Sequence, residues 1–272
     1  MEVGSDDIII GHPNYPAETA VRRLFQNNCR AKILIFPFHH GLPGINLPFD
    51  DLVNQCDALL SITGPYWYDT IESTPFAAWK EKMTRVDMAI DAVRFPVVKT
   101  SFSEPGKRQF FYIGADRFEK GLSVLESIFA GTSHKLHLYG MIDGAHPINR
   151  LPNVHLHGWA DVCEQFAVDL AQTADCLVHG GISDAKPTTL LEATSWGFPV
   201  ACTPQSGYWP DQPFYGLNPG DIDGSRAFLD YIQWVPADVL RMRAQQNREV
   251  VRQNHNWDRF IGTVLGVVKR FL

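Results

Sequence analysis

Short continuous apolar runs alternate along the chain with stretches in which apolar residues recur at helical spacing. In the first third the runs are DIIIG at 7–11, KILIF at 32–36 and ALLSI at 58–62, and helical spacing appears at 17–27 and 49–55. Apolar runs of this length are typical of strands buried on both faces of a parallel sheet. The pattern therefore predicts a first α/β unit.

A second alternating series follows the segment 96–106, which lacks periodicity and which we interpret as a linker. The predicted strands lie at 109–113, 135–139, 154–156, 174–179 and 200–203, and the predicted helices at 121–129, at 162–171 and from Pro187 onward. The sequence thus predicts an α/β protein of two Rossmann-like, doubly wound parallel-sheet domains. We place them at 1–98 and 99–256, followed by an amphipathic helix at 257–272.

Composition narrows the function classes. The chain has 272 residues, 45% of them hydrophobic, and a net charge of -6, which argues against general nucleic-acid binding. The five cysteines are scattered without CxxC spacing, so neither a disulfide framework nor a zinc site is indicated, and a reducing cytoplasm is expected. The acidic start MEVGSDD does not resemble a signal peptide, and no apolar run reaches membrane-spanning length.

The segment 181–200, GISDAKPTTLLEATSWGFPV, carries the most informative chemistry. Pro187 suits the first helical position, so the backbone N–H groups of Thr188 and Thr189 lack intrahelical partners and suit a diphosphate. Glu192 lies one turn further on, where its carboxylate can accept hydrogen bonds from a ribose diol. Asp184, in the loop before the helix, can hold sugar hydroxyls. The alternative is a capped helix with a solvated glutamate.

Four motifs in register over about 110–200 resemble the nucleotide-binding domain of retaining GT-B glycosyltransferases of family 4. FYIGADRFEKG resembles a strand and its phosphate-binding loop, with Gly114, Arg117 and Lys120, and KLHLYG resembles the next strand and its glycine turn at Gly140. NVHLHGWA resembles the strand where the nucleobase site begins, and ADCLVHGGISDAKPTTLLEATSWGFPV resembles the family's segment with two acidic residues. HNWDRF resembles the start of the family's terminal crossover helix.

The resemblance implies specific roles. Lys120 would bind the donor diphosphate and offset the charge that grows on the leaving group. Glu192 would hold the ribose, Asp184 would contact the transferred sugar, and Thr188 and Thr189 would offer N–H groups to the phosphates. Donor-binding roles also fall on Gly114, Arg117 and Gly140. No metal or other cofactor is expected.

Three positions depart from the family pattern. Ala115 stands where the family has arginine, although Arg117 follows two residues later. Asp184 is one methylene shorter than the usual glutamate, and Ala185 replaces a glycine. These departures affect the part of the site that would hold the sugar more than the part that would hold the nucleotide.

The first half resembles the family more loosely. DDIIIGHPNYP resembles the strand that ends in a histidine near the reacting sugar, which would be His12; the alternative is a loop histidine at a strand end. For His39 and His40 in FPFHHG a structural role is favoured, because adjacent residues of an extended strand face opposite sides.

Few residues precede Asp7, whereas the family has further strands there, so a short or incomplete first domain is expected. A fragment, a minimal enzyme and a degenerate module remain alternatives. The exposed sheet edge of an incomplete first domain would need to be covered, by a dimer partner or by a separate chain.

The resemblance implies transfer of a sugar from a nucleotide diphosphate sugar to an acceptor hydroxyl, with retention, by an enzyme in the cytoplasm or at the inner membrane surface. The acceptor is not identified; polysaccharide biosynthesis is the family's common setting. Two alternatives stay open, a non-catalytic nucleotide-sugar-binding or assembly module and a GT-B-like epimerase. A dinucleotide oxidoreductase is disfavoured, because no GxGxxG follows a strand.

Overall fold

The computed structural model describes residues 3–14, 16–207 and 216–272. The strands are β1 (Ile8–Gly11), β2 (Ala31–Pro37), β3 (Ala58–Ile62), β4 (Met83–Val86), β5 (Gln109–Ile113), β6 (Lys135–Tyr139), β7 (Val154–Gly158), β8 (Cys176–His179) and β9 (Val200–Cys202). The α-helices are α1 (Glu18–Leu24), α2 (Pro43–Asn46), α3 (Asp50–Gln55), α4 (Pro65–Asp69), α5 (Leu122–Phe129), α6 (Glu164–Thr173), α7 (Thr188–Ser195), α8 (Ile222–Trp234), α9 (Ala237–Asn254) and α10 (Trp257–Val268). The two sheets are parallel, as the apolar runs predict.

The chain forms two compact units, unit 1 from Met1–Ala89 with Trp257–Leu272 and unit 2 from Ile90–Asn256. The chain thus first leaves unit 1 after Ala89, before the boundary at 98/99 that the sequence predicts. The reason is hydrogen bonding within unit 2, since Ile90 N–H donates to the carbonyl of His255. The segment 96–106, predicted as a linker, is also fixed to unit 2, where Val98 and Lys99 donate N–H groups to the carbonyl of Trp196.

Unit 1 is built on a sheet with the strand order β1-β2-β3-β4. Right-handed crossovers between strands in this consecutive order place the connecting segments on one face. That face packs against α1, α3 and the aromatic segment after α4, through core residues that include Phe36, Leu59 and Trp79.

The opposite face of this sheet is covered by α10. Ile33, Leu60 and Val86 of the strands pack with Val267, which is 1% exposed, and with Val264. The helical spacing of 257–272 therefore predicts both the helix and its apolar face. The closing helix gives the short sheet the two covered faces that buried parallel strands need.

Unit 2 contains a sheet with the strand order β7-β6-β5-β8-β9. The order reverses between β5 and β8, and loops that leave the carboxyl ends of these two strands diverge. In open α/β sheets a crevice forms at such a switch point, where ligands bind. The motif residues after β5 and β8 meet here.

Among the described residues, no helix combines the length and the apolar character needed to cross a bilayer.

Candidate functional site

Two close backbone contacts bring the strand-end loops of unit 2 together. Gly121, with φ +68°, lies against Gly180, and a Cβ atom at Gly121 would collide with the carbonyl of Gly180. Gly140, with φ +130°, lies in the same way against the carbonyl of Gly114. Only glycine tolerates both the backbone angle and the proximity. The loop after β5 is therefore held next to the loops after β6 and β8.

The first of these contacts places Lys120 beside Asp184. The ammonium of Lys120 donates to Oδ2 of Asp184 at 2.6 Å, and Nε2 of His179 lies 3.5 Å from the same oxygen. The side chains of Asp184 and Lys120 are 12% and 26% exposed, so this ion pair faces the surface only in part. A cation, an anion and an imidazole are thus grouped at the switch point.

His179 is a neutral member of this group. Its Nδ1 accepts the N–H of Gly181 at 3.1 Å, which places the ring proton on Nε2, toward Asp184. Burial lowers the pKa of His179 to about 4; the Asp184 carboxylate opposes this shift and the Lys120 ammonium adds to it. His179 therefore lies beside Asp184 as a neutral imidazole and adds no charge at neutral pH.

The α7 helix begins next to this group. Pro187 is the N-cap residue, with ψ 119°, so the sequence expectation that it occupies the first helical position is wrong by one residue. Thr188 and Thr189 open the helix, and their N–H groups precede the first intrahelical bond. A helix start beside a lysine is a favourable place for an anion.

Glu192 lies one turn into α7 and is half-buried. Burial raises its pKa, and a hydrogen bond from the Thr188 side chain opposes that effect. The two residues are four apart and so share one face of the helix. Glu192 is thus a shielded acceptor close to the helix start.

A small apolar pocket of about 170 Å³ opens at the carboxyl ends of β5 and β6. Gly114 and Gly140 form part of its wall, together with Met141 and Trp159. The Trp159 side chain is 70% exposed. A flat aromatic ring exposed beside glycine backbone can stack on a planar ligand.

The structure does not bring every predicted residue of unit 2 into this group. Arg117 is exposed, and its Nη1 lies 3.8 Å from Oε1 of Glu119, two residues away. Ala115, where the resembling family has arginine, uses its carbonyl to accept the hydroxyl of Tyr112 at 3.1 Å. Lys120 is therefore the basic side chain of this loop that contacts Asp184.

The predicted histidines lie in unit 1. His12 follows β1 and is half-buried, its Nδ1 accepts the N–H of Asn14 at 3.2 Å, and burial lowers its pKa. His39 and His40 come after the end of β2, in a loop rather than in an extended strand, and both rings lie against Trp67, with ring centroids 5.7 and 4.8 Å away. The argument that adjacent strand residues diverge does not apply to them.

Sequence reasoning missed His179 and Trp159 as members of the site. His179 ends an apolar strand, and its contact with Asp184 depends on a turn through two glycines that sequence patterns do not resolve. The sequence signal for Trp159 was its place after a polar strand, because a tryptophan there has no obvious core to enter. In the ranges 3–14, 16–207 and 216–272, no group of three or more His, Cys, Asp or Glu side chains is arranged to hold a metal ion.

Comparison with solved structures identifies the fold. TarM of S. aureus superposes with a TM-score of 0.68 at 13% identity, covering 97% of this chain and 55% of TarM. Sucrose-phosphate synthase from Thermosynechococcus elongatus gives 0.69 at 14% identity, with 97% and 73% covered. The pneumococcal O-GlcNAc transferase GtfA, in complex with UDP and GlcNAc, gives 0.64 at 11% identity, with 99% and 57% covered.

The fold is GT-B-like. Both units are Rossmann-like α/β units on parallel sheets, and the chain spans little more than half of the length of TarM and GtfA. No protein-family model and no curated protein matches the sequence.

Proposed function

We propose that the protein is a retaining glycosyltransferase that takes a sugar from a nucleoside-diphosphate sugar and transfers it to an acceptor hydroxyl. The observation that carries the proposal is the Lys120–Asp184 ion pair at the switch point of unit 2, beside the start of α7. A cation and free helical N–H groups suit a diphosphate, and a carboxylate at the same place suits sugar hydroxyls.

The donor is assigned part by part along this site. The N–H groups of Thr188 and Thr189 and the Lys120 ammonium bind the diphosphate. Gly114 and Gly140 have no side chains, so the diphosphate can approach the protein backbone closely there. Glu192 accepts hydrogen bonds from the ribose, and Asp184 from the transferred sugar. The base stacks in the pocket beside Trp159.

The chemistry requires charge stabilisation more than a protein nucleophile. As the bond from the anomeric carbon to the diphosphate oxygen breaks, negative charge grows on the diphosphate, where Lys120 and the α7 dipole stabilise it. The acceptor hydroxyl attacks the same face of the sugar and passes its proton to the departing diphosphate oxygen. His12 is assigned to the acceptor side, and no metal takes part in this scheme.

A non-catalytic nucleotide-sugar-binding module is the second candidate. It is favoured by the departures at Ala115 and Ala185 and by the Lys120 ammonium, which Asp184 already neutralises. In this alternative the site holds the donor without activating its leaving group.

Calorimetry with UDP-glucose and UDP-GlcNAc, combined with a donor-cleavage assay with and without saccharide acceptors, separates the candidates. UDP is the nucleotide in the GtfA complex, which makes it the first probe. Binding with turnover supports the transferase, and binding without turnover supports the module. Sugar interconversion without an acceptor would indicate an epimerase, and absence of nucleotide binding would remove both candidates.

In the same assay, His12→Ala is expected to lower transfer while leaving UDP affinity unchanged. Normal turnover by this variant would remove His12 from the mechanism.

A further inference from the structure

A second cavity, of about 220 Å³, lies in unit 2 between the segment 97–102 and α9. Gly197, which follows the carboxyl end of α7, forms part of its rim. The candidate donor site lies at the other end of α7, about 12 Å away along an eight-residue helix. The two sites are therefore separate.

Two arginines of α9 line this cavity. Arg241 and Arg248 are seven residues apart, which places them on one face of the helix two turns from each other. The Nε atom of Arg241 donates to the carbonyl of Thr100 at 3.3 Å, and that of Arg248 to the carbonyl of Ser195 at 3.2 Å. Each guanidinium is thus anchored through Nε, and no described residue forms a hydrogen bond or ion pair with its Nη atoms.

The other charged groups of the cavity are already paired with groups of opposite charge. Lys99 is 6% exposed; its ammonium lies 2.9 Å from Oδ1 of Asp175. Glu249 accepts hydrogen bonds from Arg252 on both carboxylate oxygens; these bonds lower its pKa, and the nearby charge of Arg248 adds to that effect. With Arg252 set against Glu249, the two cavity arginines leave a positive charge, so the cavity favours an anion. Arg248 is half-buried and Arg241 is exposed, and the Nη groups of each can present paired donors to phosphate oxygens.

Apolar side chains complete the wall, from Val97, Phe102 and Ala244. The volume is several times the roughly 30 Å³ that a water molecule occupies in the liquid. A bare phosphate would leave the apolar part of the cavity unfilled, whereas a phosphate that carries a small carbon body would use both parts.

We propose that this cavity binds a small organic phosphomonoester. The phosphate group lies between the guanidinium groups of Arg241 and Arg248, and the organic group packs against Val97, Phe102 and Ala244. The proposal does not depend on nucleotide binding at the amino end of α7.

Calorimetric titration with phenyl phosphate tests the proposal. Wild type is expected to bind it more tightly than inorganic phosphate, and Arg241→Gln and Arg248→Gln are each expected to weaken binding by about tenfold, the usual effect of losing a hydrogen bond to a charged group. Arg243→Gln is the matched control, because Arg243 lies on the same helix, over the ring of Tyr231 and outside the cavity.

Lys120→Met distinguishes the two sites of unit 2. It is expected to bind phenyl phosphate with wild-type affinity, and a loss of binding would place the ligand at the start of α7 and overturn the proposal. Absence of binding by wild type, or unchanged affinity in Arg241→Gln, would also overturn it. Among the described residues, the hydrogen bond of Arg241 is to the backbone carbonyl of Thr100, which is exposed. Arg241→Gln therefore still tests the proposal if Arg248→Gln is unstable in a thermal melt.

Discussion

The ammonium of Lys120 lies 2.6 Å from Oδ2 of Asp184, although the two residues are 64 positions apart in the chain. Their ion pair joins the loop after β5 to the loop after β8. A nucleotide diphosphate that binds Lys120 must therefore share it with Asp184 or displace that carboxylate. Because diphosphate and Asp184 compete for Lys120, substitutions of Lys120 and Asp184 are expected to change nucleotide affinity differently.

Lys120→Met is expected to weaken UDP binding by about tenfold or more, because a charged hydrogen-bond donor to the diphosphate is lost. Asp184→Asn removes the competing charge and should leave UDP affinity equal or higher, while the extra affinity for UDP-glucose over UDP declines. Titration of both variants with both ligands measures this. Equal weakening of UDP binding by the two substitutions would contradict the assignment of Lys120 to phosphate and Asp184 to sugar.

Glu192→Ala is expected to abolish the preference for UDP over 2′-deoxy-UDP, since the carboxylate is assigned to the ribose hydroxyls. Because burial raises the pKa of Glu192, the wild-type preference should fall on acidification at a higher pH than an exposed glutamate would produce. The affinity ratio for the two nucleotides, measured from neutral to acidic pH, reports both effects. A ratio that stays the same in Glu192→Ala would place the ribose elsewhere.

His179 makes the free energy of unfolding of the protein sensitive to acid. The unfolded imidazole takes up a proton near pH 6.5, whereas the buried side chain, with a pKa of about 4, does so only in stronger acid. Unfolding therefore binds a proton below pH 6.5, and stability is lost as the pH falls toward 4, by about 3 kcal/mol in total. Removing this histidine should remove that loss.

Urea unfolding of wild type and His179→Gln at neutral and acidic pH checks this result. The free energy of unfolding of the variant should decline less on acidification than that of wild type. His146→Gln, which removes a half-buried histidine that likewise accepts a backbone N–H group, is the control. Parallel declines in wild type and His179→Gln would show that His179 is not the group responsible.

Gly121→Ala is expected to destabilise unit 2 and to disturb Lys120, because the new methyl group meets the carbonyl of Gly180. Gly131→Ala provides a matched control: Gly131 also has a positive φ, +73°, but open space around the position of a Cβ atom. The control should cost about 1–2 kcal/mol for left-handed backbone alone. Chemical denaturation and UDP titration compare the two, and equal effects would argue against the close approach of the loops.

Apolar runs predicted strands of both sheets. QFFYI gives β5, which is buried on both faces, and KLHLY gives β6, in which Leu136 and Leu138 are buried, and both have the observed bounds. The β4 strand, MTRV, was missed, because only Met83 and Val86 of its four residues are buried. The α9 helix was also not predicted: its buried residues Leu240, Ala244, Asn247 and Val251 recur at helical spacing, but one is small and one is polar, so the apolar pattern is weak.

The candidate site was predicted as a set of residue types but not as a set of contacts. The motifs placed Lys120, Asp184 and Glu192 in one sheet crevice, and the structure brings Lys120 and Asp184 into contact. The neutral state of His179 depends on burial and on a single backbone N–H group, which only coordinates reveal. The roles of these residues in binding remain predictions.

The position of α10 in the chain sets an order of assembly during synthesis. The strands of unit 1 leave the ribosome before unit 2, but the helix that covers their second face follows the whole of unit 2. Until that helix emerges, Ile33, Leu60 and Val86 present a bare apolar surface, whereas unit 2 is one continuous stretch and can fold at once. Unit 1 is therefore completed only after unit 2 has been made, and in that interval its apolar surface is exposed to aggregation.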